Sequence, residues 1–103
     1  KDIRRYFSGQ KERGINFLYR LVELLQLNDK TMYKGYGPED DRRMNVARLA
    51  YLLARMEDEA GKEGKEHFRE FKNAFWNWYK SSSKTQREAE LALIYYLYEI
   101  RKA

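Results

Sequence analysis

The fold of this chain is most clearly indicated by residues 48–55, which read RLAYLLAR. At helical spacing, one side of this segment forms an i, i+3, i+4, i+7 apolar stripe of the kind that faces a core, made of Val46, Leu49, Ala50 and Leu53. The opposite side carries Met44, Arg48, Tyr51 and Arg55. That outer face has no acidic residue between Arg42 and Met56. The segment therefore predicts an amphipathic helix with a basic and aromatic outer surface.

The same helical period continues along most of the chain, and no β-type alternation occurs. It predicts helices at about residues 10–27, 38–59, 62–80 and 85–100. We therefore predict an all-α fold, a compact bundle of four main helices forming a single helical domain over residues 1–103. Residues 2–7 either form a short extra N-terminal helical turn or join the first helix.

The predicted helix boundaries rest on local signals. Pro38 suits a first helical position, and residues 39–41 (EDD) place acids in the first turn, where the helix dipole favours negative charge. The second helix should end at Gly61, and residues 81–83 (SSS) should end the third. Thr85 and Glu88 form a capping-box pattern at the start of the last helix.

Apolar residues predict which helix faces are buried. The first helix should bury Ile15, Leu18, Leu21, Val22, Leu24 and Leu25, and the third should bury Phe68, Phe71, Phe75 and Trp78. Trp76 points away from Trp78 and should lie at an edge or an interface. The last helix is apolar nearly all round, which predicts burial on several sides, at the bundle centre or against another subunit.

Composition excludes several classes of protein. The chain has no cysteine, which rules out disulfides and thiolate zinc sites and fits a reducing cytoplasm. Its one histidine, His67, cannot build a metal site without further ligands. No apolar run approaches the roughly 20 residues of a membrane span, and no nucleotide-binding or nucleophile motif is present. We therefore expect no enzymatic activity, no cofactor, no metal and no membrane contact.

The net charge of +5 favours an anionic partner, although 16 acids are mixed with 21 bases and any basic surface must be local. Arg48, Tyr51 and Arg55 suit a polyanion whose phosphates repeat along a groove, with the ring free to stack. Further candidates for this surface are Arg42, Arg43, Lys80 and Lys84. The alternative for each is a solvated charge, and for Tyr51 a ring lying over a neighbour. The hypothesis requires Arg48 and Arg55 to point outward without being locked to carboxylates.

Two other functions fit the same sequence. A helical protein–protein adaptor would use the aromatic surface to dock a partner, with Trp76 and Tyr96 as contacts. A small DNA-binding regulator would need a helix-turn-helix around the serine-rich turn. The last helix is a poor recognition helix, because it offers only Arg87, Arg101 and Lys102 on a largely apolar surface.

The chain also resembles a known family, the small helical subunit of type III-A CRISPR–Cas (Csm) effector complexes. Members carry a helix of the form basic–Leu-Ala-Tyr–two small or apolar residues–small–Arg, which residues 48–55 match position by position. Their aromatic closing helix is similar to residues 92–98 (ALIYYLY), and the resemblance extends from about Ile3 to Ile100.

This resemblance implies a non-catalytic subunit of a ribonucleoprotein, present in several self-associating copies beside other effector-complex subunits. It implies that Arg48 and Arg55 contact the backbone of single-stranded target RNA or of the guide–target duplex, with Tyr51 nearby. Guide pairing supplies sequence choice in such complexes, so backbone contacts are sufficient.

Overall fold

The computed structural model of the protein describes residues 11–26 and 45–102. These residues form three α-helices: α1 (Lys11–Leu25), α2 (Val46–Ser81) and α3 (Lys84–Lys102). No strand occurs within the described ranges, so the all-α prediction is confirmed. The expectations for residues 2–7 and for the helix start at Pro38 lie outside the described residues.

The predicted number of four main helices is not matched, because the second and third form the single bent element α2. Gly61 interrupts α2 with non-helical angles, φ 69° and ψ −173°. A straight helix of 36 residues would be roughly 54 Å long, which exceeds the 39 Å longest dimension of the molecule. Lys72 Nζ lies 3.6 Å from Glu57 Oε1, although a straight helix would separate these residues by about 22 Å. The two halves of α2, residues 46–60 and 62–81, therefore fold back on each other at Gly61.

One hydrophobic core joins all three helices, because each contributes an apolar face at helical spacing. Its buried members are Leu18, Leu21, Val22, Leu25, Leu49, Leu52, Leu53, Met56, Phe68, Phe71, Phe75, Trp78, Leu91, Ile94 and Tyr95. The predicted faces of α1 and of residues 62–81 are confirmed, with Ile15 and Leu24 partly buried at the core margin. Trp78 is buried, whereas Trp76 is half-buried beside Phe75, as predicted.

The predicted stripe of residues 46–60 is wrong by part of a turn. Leu49 and Leu53 are buried as expected, but Val46 is 56 % exposed and Ala50 is also exposed. Leu52 and Met56 take their places in the core. Compared with the predicted stripe, the observed helix orientation buries Leu52 and Met56 in place of the smaller Val46 and Ala50. This orientation is favoured because hydrophobic stabilisation grows with the apolar area removed from water.

The start of α3 differs from the capping-box prediction by two residues. Ser83, which directly precedes the helix, accepts a hydrogen bond at its Oγ from the Gln86 backbone N–H (3.1 Å). Thr85 already lies inside the first turn. Ser83 is therefore the N-cap, because its side chain satisfies an amide that has no partner within the helix.

Only one side of α3 is buried within the described chain. Leu91, Ile94 and Tyr95 face the core, whereas Leu93, Tyr96 and Ile100 remain 37 %, 55 % and 55 % exposed. Burial of α3 on several sides is therefore not found in the described part of the chain. Within residues 11–26 and 45–102, no helix has the length and hydrophobicity that a membrane span requires.

Candidate nucleic-acid interface

Residues 46–60 of α2 position the basic and aromatic face, here called the Arg48–Arg55 face and defined by Arg48, Tyr51 and Arg55. At 100° per residue, Tyr51 lies about 150° from the centre of the buried stripe, and Arg48 and Arg55 lie about 90° and 110° from it on the same side. Tyr51 is accordingly 66 % exposed. The three side chains share one sector of the helix surface, as the sequence predicts.

The helix start beneath this face is well defined. Asn45 precedes the first helical residue in an extended conformation, φ −73° and ψ 157°, and acts as N-cap. Its Oδ1 accepts a hydrogen bond from the Arg48 backbone N–H at 2.8 Å. This cap fixes the backbone from which the Arg48 side chain projects.

Arg48 is half-buried, and its Nε atom is enclosed by protein and has no hydrogen-bond partner among the described residues. An enclosed donor without a partner is unfavourable, especially on a charged group. No ion pair to Arg48 occurs within the described residues. The prediction that Arg48 points freely outward is therefore met only in part, since the side chain lies at the boundary between the core and the surface.

Arg55 projects further into solvent, with 51 % of its side chain exposed. Its Nε lies 3.6 Å from Glu59 Oε2, one helical turn away. That separation is an ion pair but is longer than a hydrogen bond. Arg55 is consequently not locked to a carboxylate.

Arg20 of α1 binds Glu59 much more closely than Arg55 does. Arg20 Nε donates to Glu59 Oε1 at 2.9 Å, and Arg20 Nη2 donates to Glu59 Oε2 at 2.7 Å. This two-pronged hydrogen bonding lowers the pKa of Glu59 and raises the pKa of Arg20. Sequence reasoning missed the pair, because its members are 39 residues apart and no local pattern connects them.

The other described basic candidates lie on different segments from the Arg48–Arg55 face, at the turn between α2 and α3. Lys80 lies exposed in the last turn of α2, and Lys84 is the first residue of α3. At the same turn, the Arg87 guanidinium lies 4.2 Å from the Tyr79 ring centre and donates to the carbonyls of Tyr79 and Ser82. Arg87 therefore stabilises the turn. Arg42 and Arg43 lie outside the described residues.

An open cleft of about 310 Å³ lies between α1 and the end of α3. No sequence pattern predicted it. Its lining residues are Asn16, Tyr19, Arg20, Glu23, Tyr98, Arg101 and Lys102. Arg101 donates to Asn16 Oδ1 at 2.6 Å and lies over the Tyr19 ring. The polar groups of this cleft thus bind each other across the two helices.

Tyr98 should ionise later than an ordinary tyrosine. Its hydroxyl donates to Glu23 Oε2 at 2.6 Å, and this bond raises the pKa of Tyr98 to about 12. The folded state favours the neutral phenol of Tyr98. The stabilisation of the folded state by this hydrogen bond is therefore complete below about pH 10, decreases between about pH 10 and 12, and is lost above that range. A spectroscopic titration of phenolate should resolve a late step that belongs to Tyr98.

Tyr98→Phe should remove the late step, and Glu23→Gln should shift it toward the ordinary range. The exposed Tyr51 provides the matched control, because Tyr51→Phe should leave the late step in place. Ionisation of every tyrosine in a single step near pH 10 would contradict this assignment.

No group of three or more histidine, cysteine, aspartate or glutamate residues lies close enough to hold a metal ion in the described parts of the chain. His67 is exposed on α2.

Residues 4–102 match the family described as the CRISPR RNA silencing complex Cmr2 subunit, second helical domain. The chain is 45 % identical over 102 residues to the CRISPR system single-strand-specific deoxyribonuclease Cas10/Csm1 (subtype III-A) of Streptococcus thermophilus. It is 33 % identical over 102 residues to the protein of the same description from Mycobacterium tuberculosis. No solved structure matches the chain.

These alignments cover 99 % of the chain but only 12 % and 11 % of the two relatives. They confirm the relationship to type III-A CRISPR–Cas effector complexes that residues 48–55 indicate. The relatives are Cas10/Csm1 proteins, whereas the sequence resemblance named the small subunit of the complex. The expectation of a protein without enzymatic activity is wrong, because both relatives are named as deoxyribonucleases. Sequence motifs gave no sign of that activity, since the chain aligns with only a small part of each enzyme.

Proposed function

Because this chain belongs to the family of the second helical domain of the Cmr2 subunit of CRISPR RNA silencing complexes, we propose that it is one helical domain of a cytoplasmic type III-A effector subunit. The Arg48–Arg55 face contacts the sugar–phosphate backbone of target RNA or of the guide–target duplex. A protein containing this domain has the single-strand-specific deoxyribonuclease activity named for the relatives, and the domain supplies nucleic-acid contacts to it.

The observation that carries the RNA contact is the exposed phenol of Tyr51 between two guanidinium groups on one helix surface. A guanidinium offers five donors in a planar fork that fits phosphate oxygens. An exposed ring beside such donors provides a stacking surface that tolerates any base.

A second role, contact with other effector-complex subunits, is supported by α3. Its exposed side chains Leu93, Tyr96 and Ile100 lie at helical spacing on one face. Such a face suits protein–protein contact, either with other subunits or with further copies of the chain.

The RNA-binding proposal predicts that Arg48→Ala combined with Arg55→Ala weakens binding to RNA of every sequence. Two surface contacts of about 0.7 kcal/mol each correspond to a loss of about tenfold. Two released phosphate contacts should also reduce the slope of log affinity against log salt by about 1.4 for a single strand. Filter binding of unrelated RNA sequences at several salt concentrations measures both effects.

The matched control is Lys65→Ala combined with Arg69→Ala, which removes the same charge from exposed positions in the other half of α2. This control should change affinity by less than twofold, since both side chains are exposed on the other half of α2 and neither belongs to the Arg48–Arg55 face. Equal losses in the two double variants would show that the Arg48–Arg55 face has no special role.

A further inference from the structure

Glu59 lies between two arginines that belong to different helices. Arg20 reaches it from α1 with two hydrogen bonds of 2.9 and 2.7 Å, while Arg55 approaches from one turn earlier in α2 to 3.6 Å. Glu23 of α1 lies 3.5 Å from the other side of the Arg20 guanidinium. The carboxylate of Glu59 is thus the one described ion-pair partner of Arg55, and it is bound mainly by Arg20.

The distances decide which arginine holds the carboxylate. Both oxygens of Glu59 accept from Arg20 in a parallel, bidentate arrangement, the strongest geometry for this pair of groups. Arg55 Nε lies 3.6 Å from Oε2, beyond hydrogen-bonding distance. Arg55 therefore keeps donors that a phosphate can use, although an acid lies at the i+4 position.

We propose that Arg20 is a positioning residue for the Arg48–Arg55 face, because by holding Glu59 it keeps Arg55 available to nucleic-acid phosphate. This inference rests on the function proposed above. Without Arg20, both carboxylate oxygens of Glu59 lose their donors. Arg55 is the nearest described cation, and a small side-chain rotation converts the 3.6 Å ion pair into a hydrogen-bonded i, i+4 pair. The phosphate then has to displace Glu59 from Arg55.

Arg20 and Glu59 are both partly exposed, with 40 % and 38 % of their side chains accessible, so their replacement should leave the fold intact. Arg20→Ala should weaken binding of oligouridylate to the full-length protein about threefold, the range of a surface ion pair. Arg69→Ala, which removes the same charge from an exposed site, should change this affinity less than Arg20→Ala does. Fluorescence anisotropy gives the affinities, and thermal unfolding checks that each variant folds.

The decisive test is rescue. Glu59→Gln in the Arg20→Ala protein removes the competing charge, and it should restore affinity to within about 1.5-fold of the parent. A merely structural role for Arg20 would not be rescued by a second change. Arg20→Lys retains the charge but cannot hold both oxygens in a fork, so it should show an intermediate loss.

The dependence on Arg55 completes the test. In a protein that already carries Arg55→Ala, Arg20→Ala should weaken RNA binding no more than Arg69→Ala does. The positioning role is overturned if Arg20→Ala reduces affinity by the same factor in both backgrounds, or if Glu59→Gln gives no rescue. If Arg55→Ala alone leaves RNA affinity unchanged, the proposed RNA contact fails, and the role of Arg20 fails with it.

Discussion

Trp78→Ala is expected to destabilise the protein by about 3–5 kcal/mol, the range for removal of a fully buried aromatic side chain. The Trp78 side chain is 1 % exposed and packs beside Phe75, with ring centres 5.4 Å apart. Its Nε1 also donates to Glu90 Oε1 at 3.3 Å, and Glu90 is only 6 % exposed. The substitution therefore leaves a cavity and also deprives a buried carboxyl group of a donor.

Trp76 offers a matched control two positions away on the same helix. It is half-buried and meets Phe75 and Tyr79 edge-on, at 5.4 and 5.6 Å between ring centres. Trp76→Ala should cost about 1 kcal/mol, the typical effect of a point mutation. Urea unfolding followed by circular dichroism gives both free energies. Equal losses for the two tryptophans would contradict the assignment of Trp78 to the core.

Gly61→Ala should destabilise the protein by about 1–3 kcal/mol, because its backbone angles belong to a region that only glycine occupies readily. Gly61 has φ 69° and ψ −173° at the bend between the two halves of α2. A Cβ at this position meets no atom within 4 Å. The expected loss therefore comes from backbone strain alone and not from a steric clash with neighbours.

Because backbone strain is the expected cause of the loss, a variant made by chemical synthesis that lacks this strain serves as a control. D-alanine at position 61 adopts the positive φ without strain, since its preferred backbone angles are the mirror image of those of L-alanine. It should keep the stability of the parent protein, whereas L-alanine should not. The same denaturation measurement tests both, and equal destabilisation by the two residues would show that the added methyl group causes the loss.

Much of the candidate site was predictable, because Arg48, Tyr51 and Arg55 recur at helical spacing within one helix. Local spacing is sufficient to place them on a common face, whatever the rest of the chain does. It does not fix how deeply each is buried. The enclosure of Arg48 Nε depends on how the surrounding elements pack, which local spacing does not set.

Local sequence patterns were sufficient to predict the helical class, the aromatic core face of residues 62–81, the break at Gly61 and the order of Arg48, Tyr51 and Arg55. Each depends on residues within a few turns of one another, where the 3.6-residue period and the backbone freedom of glycine act locally. The pairings of Arg20 with Glu59, Tyr98 with Glu23 and Arg101 with Asn16 span 39, 75 and 85 residues, and no local pattern could predict them. Such contacts depend on the relative placement of whole helices, which the packing of all three apolar faces sets together.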